Sequence, residues 1–571
     1  LAEGDSLMLR RSFLVWAGVS GAAAAAGLAG FQRWQEITPR VLAPGREEGH
    51  YLRDRGALPP PSATYETDVL ILGSGIAAQT AAWKLRKDGH GDFLMLDGPE
   101  RYGNAAGGQF GDLAYPTGAH YLPLPSQECV HVREILADLG VIQRDAKGAR
   151  PYYDERFVLH APEERVLFNG AWQEGTLPHE GVPAAELVEH KRFFAQVAAL
   201  REARGSDGRR VFTFPVASCS GDAEWLKLDA ITFAQWLERE GYRAATLRWY
   251  LDYACRDDYG AGSDKVSAWA GLHYFCGRGA EAANAEQGAW LTWPEGLQAL
   301  ASGMERKSQP RRMAGTAVSV RVIDGGEPSA NRAARVEALC FVLEGGKPRT
   351  FTVRARKAIC AMPLHVAARI VDPMPAGFNP AQDHPLHAPW MVANFLMKRF
   401  PSEKASAPLS WDNVVYGSKG LGYVVSTHQD IRVTPPEKTV FTSYVALSHM
   451  KPATARRWMI TASAEDLLAL VSEDLREAYG PQFASCVERV DITLRGHAMS
   501  IPVPGFRSSP GLQALREHDG PILFAHSDLS GFSVFEEASW WGYRAAYLAA
   551  AGAPAGAATA AVTGAEDAGA A

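Results

Sequence analysis

The stretch from Asp68 to Asp97, DVLILGSGIAAQTAAWKLRKDGHGDFLMLD, limits what this chain can fold into more than any other. Residues 68–72 form a short apolar run of the kind that is buried on both faces of a parallel sheet. Gly73-Ser74-Gly75-Ile76-Ala77-Ala78 follows, and then a helical pattern with Ala81, Ala82 and Leu85 on one face. A second apolar run, 93–96, ends at Asp97. Each piece has a mechanical role. Gly73 permits a tight turn, Gly75 lets backbone approach a pyrophosphate, and Ala77 and Ala78 start a helix that can pack close to its strand. The helix N-terminus faces phosphate charge, and Asp97 can accept hydrogen bonds from a ribose. Strand, turn, helix, strand and terminal acid together predict a dinucleotide-binding α/β unit.

This unit alone does not separate NAD from FAD. Two further stretches favour FAD. NAAGGQFGDLAYPTGAHYL carries Gly107 and Gly108, with Gln109 beside them, where the chain is expected to cross closely over the same dinucleotide. GPILFAHSDLSGFSVFEEASWWGYRAAYLAA carries a buried-strand pattern at 522–525, then Asp528, then a helical run. Asp528 suits a ribityl chain, and the helix after it would place its N-terminus near the flavin pyrimidine.

With these motifs the chain resembles the superfamily of flavin-containing amine oxidases and phytoene desaturases. The resemblance extends to Pro294-Glu295-Gly296, to GTAVSVRV at 315–322, whose Val318 region would meet adenine, and to KAICAMPLHVAARI at 357–370. It spans roughly residues 65–550. It implies an α/β, Rossmann-like FAD-binding domain assembled from residues 65–125, 265–375 and 515–550. An α+β substrate domain, 126–264 and 376–514, would be interleaved with it. Noncovalent FAD, a small-molecule substrate and a separate electron acceptor are the implied partners. His120, in GAHY, is expected near the flavin.

The chain also departs from the family. Amine oxidases commonly place a lysine beside the flavin on a substrate-domain strand. In the comparable stretch, APWMVANFLMKRFP, the facing position is Ala393 or Asn394. Where the family's covalent cysteine would fall, RGHAMSIPVPG has His497, and strand alternation would put it on one face with Arg495. Phe532 stands where a cage tyrosine is common. His497, Asn394 and Phe532 are therefore the expected catalytic contacts. The segment 253–275 concentrates Arg256, Asp257, Asp258 and Tyr259. Such clusters make buried salt bridges or loop caps; contact with a cationic substrate is the alternative.

The N-terminus adds an address. MLRRSFLVWAGVSGAAAAAGLAG pairs Arg10 and Arg11 with a weakly apolar run rich in Ala and Gly, which predicts a twin-arginine signal or anchor over 1–31. Such export carries folded proteins, which suits a chain that acquires FAD in the cytoplasm. The expected site of action is the periplasm or the outer face of the membrane, with membrane attachment through the N-terminus as one outcome. A Pro-rich linker occupies 32–64, and the low-complexity residues 551–571 are expected to be disordered. Net charge is −6, from 58 basic and 64 acidic residues, with no strong run of either sign, so no nucleic-acid partner is implied. The 7 cysteines are scattered and suggest neither a zinc motif nor a disulfide framework.

The preferred reading is an exported FAD-dependent oxidoreductase removing a hydride from an amine or polyamine. A desaturase or isomerase of an apolar substrate is the alternative enzyme. A flavin-binding scaffold without turnover is the alternative of another class.

Overall fold

The computed structural model describes residue 34 and residues 37–54, 58–323, 335–403, 406–434 and 436–551. The expected signal, 1–31, and nearly all of the C-terminal tail lie outside the described residues. No helix among the described residues is long and apolar enough to cross a membrane.

The chain enters its first sheet through β1 (Thr64–Leu72), crosses in α1 (Ile76–Lys87) and returns as β2 (Phe93–Leu96). After a long excursion it comes back as β3 (Arg311–Met313), β4 (Thr316–Val322), β5 (Val336–Glu344) and β6 (Lys347–Cys360). It then leaves to build β7 (His387–Met397), β8 (Thr439–Ala446) and β9 (Val487–Ser500). It closes with β10 (Ile522–Phe524) and α2 (Phe535–Ala550).

The first sheet runs β3-β2-β1-β6-β5-β4, with β10 also paired to β6. Ile71 is in parallel register with both Met95 and Ile359, so three segments distant in sequence meet at one buried row. Val69 to Leu72 have no exposed surface, because α1 and α2 cover the sheet where a parallel strand must be dry on both faces. α2 lies directly on α1. A Cβ on Gly542 would stand 2.9 Å from the Ala77 carbonyl carbon and closer still to its oxygen, so the two helices touch backbone to backbone.

The second sheet has eight strands, and β9, β7 and β8 lie side by side in it. Every residue of β7 is buried. Its far edge carries Asp412–Val415 beside Glu164–Phe168 in parallel. The two sheets and their separated segments are those expected of a nucleotide domain with an interleaved substrate domain. Two boundaries differ in detail. Arg40–Leu42, inside the expected linker, is a strand paired in parallel with β9, and Arg46–Arg53 is helical. The helix Ala268–Cys276 packs with the helices Phe233–Arg239 and Ala184–Arg201, so the start of the 265–375 segment belongs with the helical side of the substrate domain. The reason is apolar content: Trp269, Leu272 and Phe275 bury into that helical cluster.

Candidate active site

The dinucleotide cradle begins at Gly73, whose φ of 109° lies in the region that disfavours side chains. A Cβ there would meet the Ala361 carbonyl at 2.8 Å. Gly75 caps α1 with no side chain over it, no acid occupies the first turn, and the first-turn amides lack intrahelical acceptors. Ala77 and Ala78 are buried in that turn. The Ser74 hydroxyl donates to the Asp97 carbonyl, which ties the turn to the end of β2. Val318 sits where the β4–β5 register slips between Ala317 and Ser319, leaving its backbone outside the ladder as an adenine contact requires. Asp97 is paired with Arg312 at 2.6 Å. Burial raises its carboxyl above the ordinary range, against the pull of that guanidinium. Turn, helix dipole, bulge and acid fit a dinucleotide.

The glycine pair makes a close approach to protein. Gly107 and Gly108 lie in a hairpin with Leu113–Pro116. A Cβ on Gly107 would strike the Glu295 and Tyr115 carbonyls at 2.9 Å, and one on Gly108 would strike the Tyr115 ring. Their close approach is to protein, and Gln109 is exposed on the same hairpin. The glycine that faces the cradle is Gly103, whose Cβ position is 3.7 Å from the Gly75 Cα.

Asn104, next after Gly103 in the chain, and Ala119 are exposed and line a groove-like cavity of about 120 Å³. Arg495 braces this passage: it donates to the Thr117 carbonyl at 2.8 Å and to Glu100 at 2.7 Å. Trp390 and Val392 of β7 line the same cavity, as do Ala498 of β9 and Phe535 at the start of α2.

A second cavity of about 260 Å³ adjoins the first; His120, Tyr121, Asp257, Arg278 and Tyr444 line both. His120 stacks on Tyr444 at 4.4 Å and meets Tyr121 edge-on at 4.9 Å. Burial pushes its imidazole down to about 3, so the ring is neutral at every working pH. The Pro294-Glu295-Gly296 segment holds it in place, since Leu297 N–H donates to the Ala119 carbonyl at 3.0 Å. Aromatic rings, Tyr250, Tyr253, Tyr274, Trp290 and Trp411 among them, form the walls.

Three carboxylates face this aromatic cavity: Glu164, Asp257 and Asp412. Asp412 stands opposite Glu164 in the parallel register, where like charges repel. Burial, with Glu163 and Asp257 nearby, raises Glu164 to about 7. Burial and the neighbouring Asp258 raise Asp257 to about 7, against Arg278. Asp412 is raised well above the carboxylate range by burial, Glu164 and Asp257. The other members of the 253–275 cluster are held by protein partners, although Asp258 also lines the smaller cavity. Asp258 pairs with Arg278 at 2.8 Å, Arg256 pairs with Asp252 at 3.1 Å, and the Tyr259 hydroxyl donates to the Ala270 carbonyl.

These shifts have a sign that can be tested. A carboxyl raised by the fold favours its protonated form there. Its penalty is absent below pH 4, grows as the unfolded carboxylate ionises, and is complete above pH 7. Stability is therefore expected to fall as pH rises from 5 to 8. Glu164→Gln should flatten that slope and stabilise the protein at pH 8 by on the order of 1–3 kcal/mol, after allowance for partial solvent contact. Melting curves of both proteins across pH decide it; identical slopes would show that Glu164 is not strained.

The structure places the three expected catalytic contacts away from the aromatic cavity. Phe532 is fully buried among His273, Phe506 and Trp269, at centroid distances of 5.0, 5.6 and 5.8 Å. Asn394 shares the face of β7 that carries Trp390 and Val392, but it is buried beyond the cavity and accepts a bond from Thr442 at 2.8 Å. His497 is turned aside by an irregularity in β9. The register passes from Ala388↔Met499 to Trp390↔Arg495, so strict alternation fails. Arg495 goes to the groove, while His497 stacks on His365 at 4.3 Å. Asp528 is fully buried, accepting from Leu364 N–H at 2.8 Å and from His387 at 3.0 Å. It lines neither cavity. Glu164, Asp412, Trp411 and Tyr444 carried no local signal in the sequence, because only the second sheet assembles them.

Comparisons with known proteins agree with this geometry. Residues 71–139 match the model of the NAD(P)-binding Rossmann-like domain. No curated protein matches the chain by sequence. Among solved structures, a redesigned putrescine oxidase is similar over 85% of this chain and 99% of its own, with 17% identity and a TM-score of 0.60. Cyclohexylamine oxidase from Brevibacterium oxydans is similar over 85% and 98%, with 17% identity and a TM-score of 0.58. The CLA-producing fatty acid isomerase from P. acnes is similar over 84% and 97%, with 14% identity and a TM-score of 0.53. A Rossmann-like dinucleotide unit joined to a second, strand-rich domain, superposable on these enzymes over nearly their whole length, is the flavin amine oxidase fold.

Proposed function

We propose that the protein is an FAD-dependent oxidoreductase that removes a hydride from a small amine or polyamine. The observation that carries this reading is the aromatic cavity walled by Glu164, Asp257 and Asp412, next to the groove lined by Asn104, which follows Gly103 at the edge of the cradle. Buried carboxylates that repel one another gain most from a cation. An ammonium group would relieve all three, and the surrounding rings would add cation–π attraction while excluding water. Groups poised at about 7 suit both the binding of an ammonium and the uptake of its proton before oxidation. Neutral His120 forms the wall between substrate and cofactor. Bound FAD supplies the two-electron acceptor. The polar, acid-lined cavity supports an amine over the apolar substrate of a desaturase or isomerase. Anaerobic bleaching of the flavin by a panel of primary amines tests the reading; no bleaching by any amine, with reduction by an unsaturated fatty acid, would overturn it.

The flavin itself should be noncovalent and slow with oxygen. β9 turns His497 away from the groove, and Ala393 and Asn394 hold the β7 positions where the resemblance would place a lysine. Acid precipitation should leave a colourless pellet and FAD in a yellow supernatant. After reduction, air should reoxidise the flavin more slowly than a quinone does. A yellow pellet, or rapid stoichiometric peroxide, would contradict this.

Export is part of the proposal and rests on Arg10, Arg11 and the apolar run after them. Replacing both arginines with lysine keeps the charge but removes the planar guanidinium groups. Folded yellow protein should then stay in the cytoplasm; unchanged export would remove the twin-arginine reading.

A further inference from the structure

We infer that His365, His387 and Asp528 form a binding site for one divalent transition-metal ion of the zinc class, at the junction of the two domains. The three residues come from separate segments. His365 lies in the first turn of the helix Leu364–Ile370 that follows β6, His387 opens β7, and Asp528 sits in the short turn after β10. One ligand atom from each lies within 4.8 Å of the others. His387 Nε2 is 3.0 Å from both Asp528 oxygens. Zinc bonds of 2.0–2.1 Å in a tetrahedron separate ligand atoms by about 3.3 Å, so only a small closure is needed.

The chemistry of the donors favours such an ion. The Nδ1 of His365 is buried and has no hydrogen-bond partner, so a lone pair or an N–H is left over that the protein does not use. His497 stacks on His365, and its ring centroid is 6.1 Å from that of His387. Two imidazoles and a carboxylate suit zinc or iron rather than magnesium or calcium.

Supporting bonds orient the carboxylate. The Ser500 hydroxyl and the Leu364 amide donate to Asp528, and the Asp528 amide donates to His526 Nδ1 at 3.1 Å. Such outer contacts hold ligands ready for a metal. An ion here would join the end of β6, the start of β7 and the loop before α2.

The test uses full-length protein purified with a tag free of histidine runs, analysed for manganese to zinc by elemental mass spectrometry. About one equivalent of metal per chain is expected, falling at least tenfold in His365→Ala and in His387→Gln. Wild-type protein stripped with a chelator should lose melting temperature and regain it on addition of Zn²⁺, which needs no variant to fold. Wild type with less than a tenth of an equivalent and no melting response to Zn²⁺ would overturn the site. So would undiminished metal in both variants. Neither readout depends on amine turnover, so failure here leaves the proposed reaction standing.

Discussion

Asp257→Asn should lower kcat/KM for a primary amine by roughly 30- to 1000-fold, because removing a buried ionic partner costs about 2–4 kcal/mol. The side chain lines both cavities, and its carboxyl receives a bond from the Tyr121 hydroxyl at 3.3 Å. Asparagine keeps the size and can keep that bond, so the fold should survive. The missing charge would appear mainly as a raised KM, with FAD content unchanged. The pH profile adds a second signature. In the wild type, amine binding should strengthen as pH rises through about 7, where Glu164 and Asp257 ionise. The variant should lose part of that slope. Steady-state kinetics with an artificial electron acceptor across pH would measure both. Unchanged kcat/KM with an active amine would remove Asp257 from the substrate site.

Gly542→Ala should destabilise the protein, by about 1–3 kcal/mol, and release FAD, although alanine is the better helix former. Propensity alone favours the substitution by about 1 kcal/mol. The added methyl would stand 2.9 Å from the Ala77 carbonyl carbon, with backbone rather than a flexible side chain in its way. Making room means pushing α1 off α2, and overpacking of this kind typically costs about 1–3 kcal/mol before any loss of cofactor contacts. α1 is the helix whose first turn forms the dinucleotide cradle, so the shift would reach the cradle directly. Gly49→Ala is the control. Gly49 lies in the exposed helix Arg46–Arg53 with nothing within 4 Å of its Cβ position, and the same change there should stabilise slightly. Thermal melts and FAD retention after gel filtration compare the two. A stabilised Gly542→Ala would mean that the helices are not in backbone contact.

The contrast between these glycines shows where sequence reasoning stops. Both sit in helical patterns, and nothing local distinguishes them. The same holds for Gly107 and Gly108: their spacing predicts a close approach, and a close approach is what they make, but to Glu295 and Tyr115. Sequence reports that backbone must pass near something; it does not report what.

The histidine at 497 makes the same point for side chains. Alternation predicts its face correctly only in a regular strand. The slip in register opposite Ala388 and Trp390 sends Arg495 to the groove and His497 to His365 and His387. Bulges follow from how a strand meets its partner, and the partner lies a hundred residues away.

The return of β6 and β10 to the first sheet was implied only by the family resemblance; by itself the sequence determined the elements of the dinucleotide unit, from β1 through Asp97. Those elements depend on local patterns: apolar runs, a glycine turn, a helix start and a terminal acid, each read within a few residues. Only the tertiary structure decided the aromatic, acid-lined cavity. Glu164 and Asp412 meet because two strands pair in parallel across the second sheet, and Asp257 joins them from a helix between the two in sequence. Their raised carboxyls arise from burial and mutual repulsion, which are properties of enclosure rather than of any one residue's neighbours in the chain.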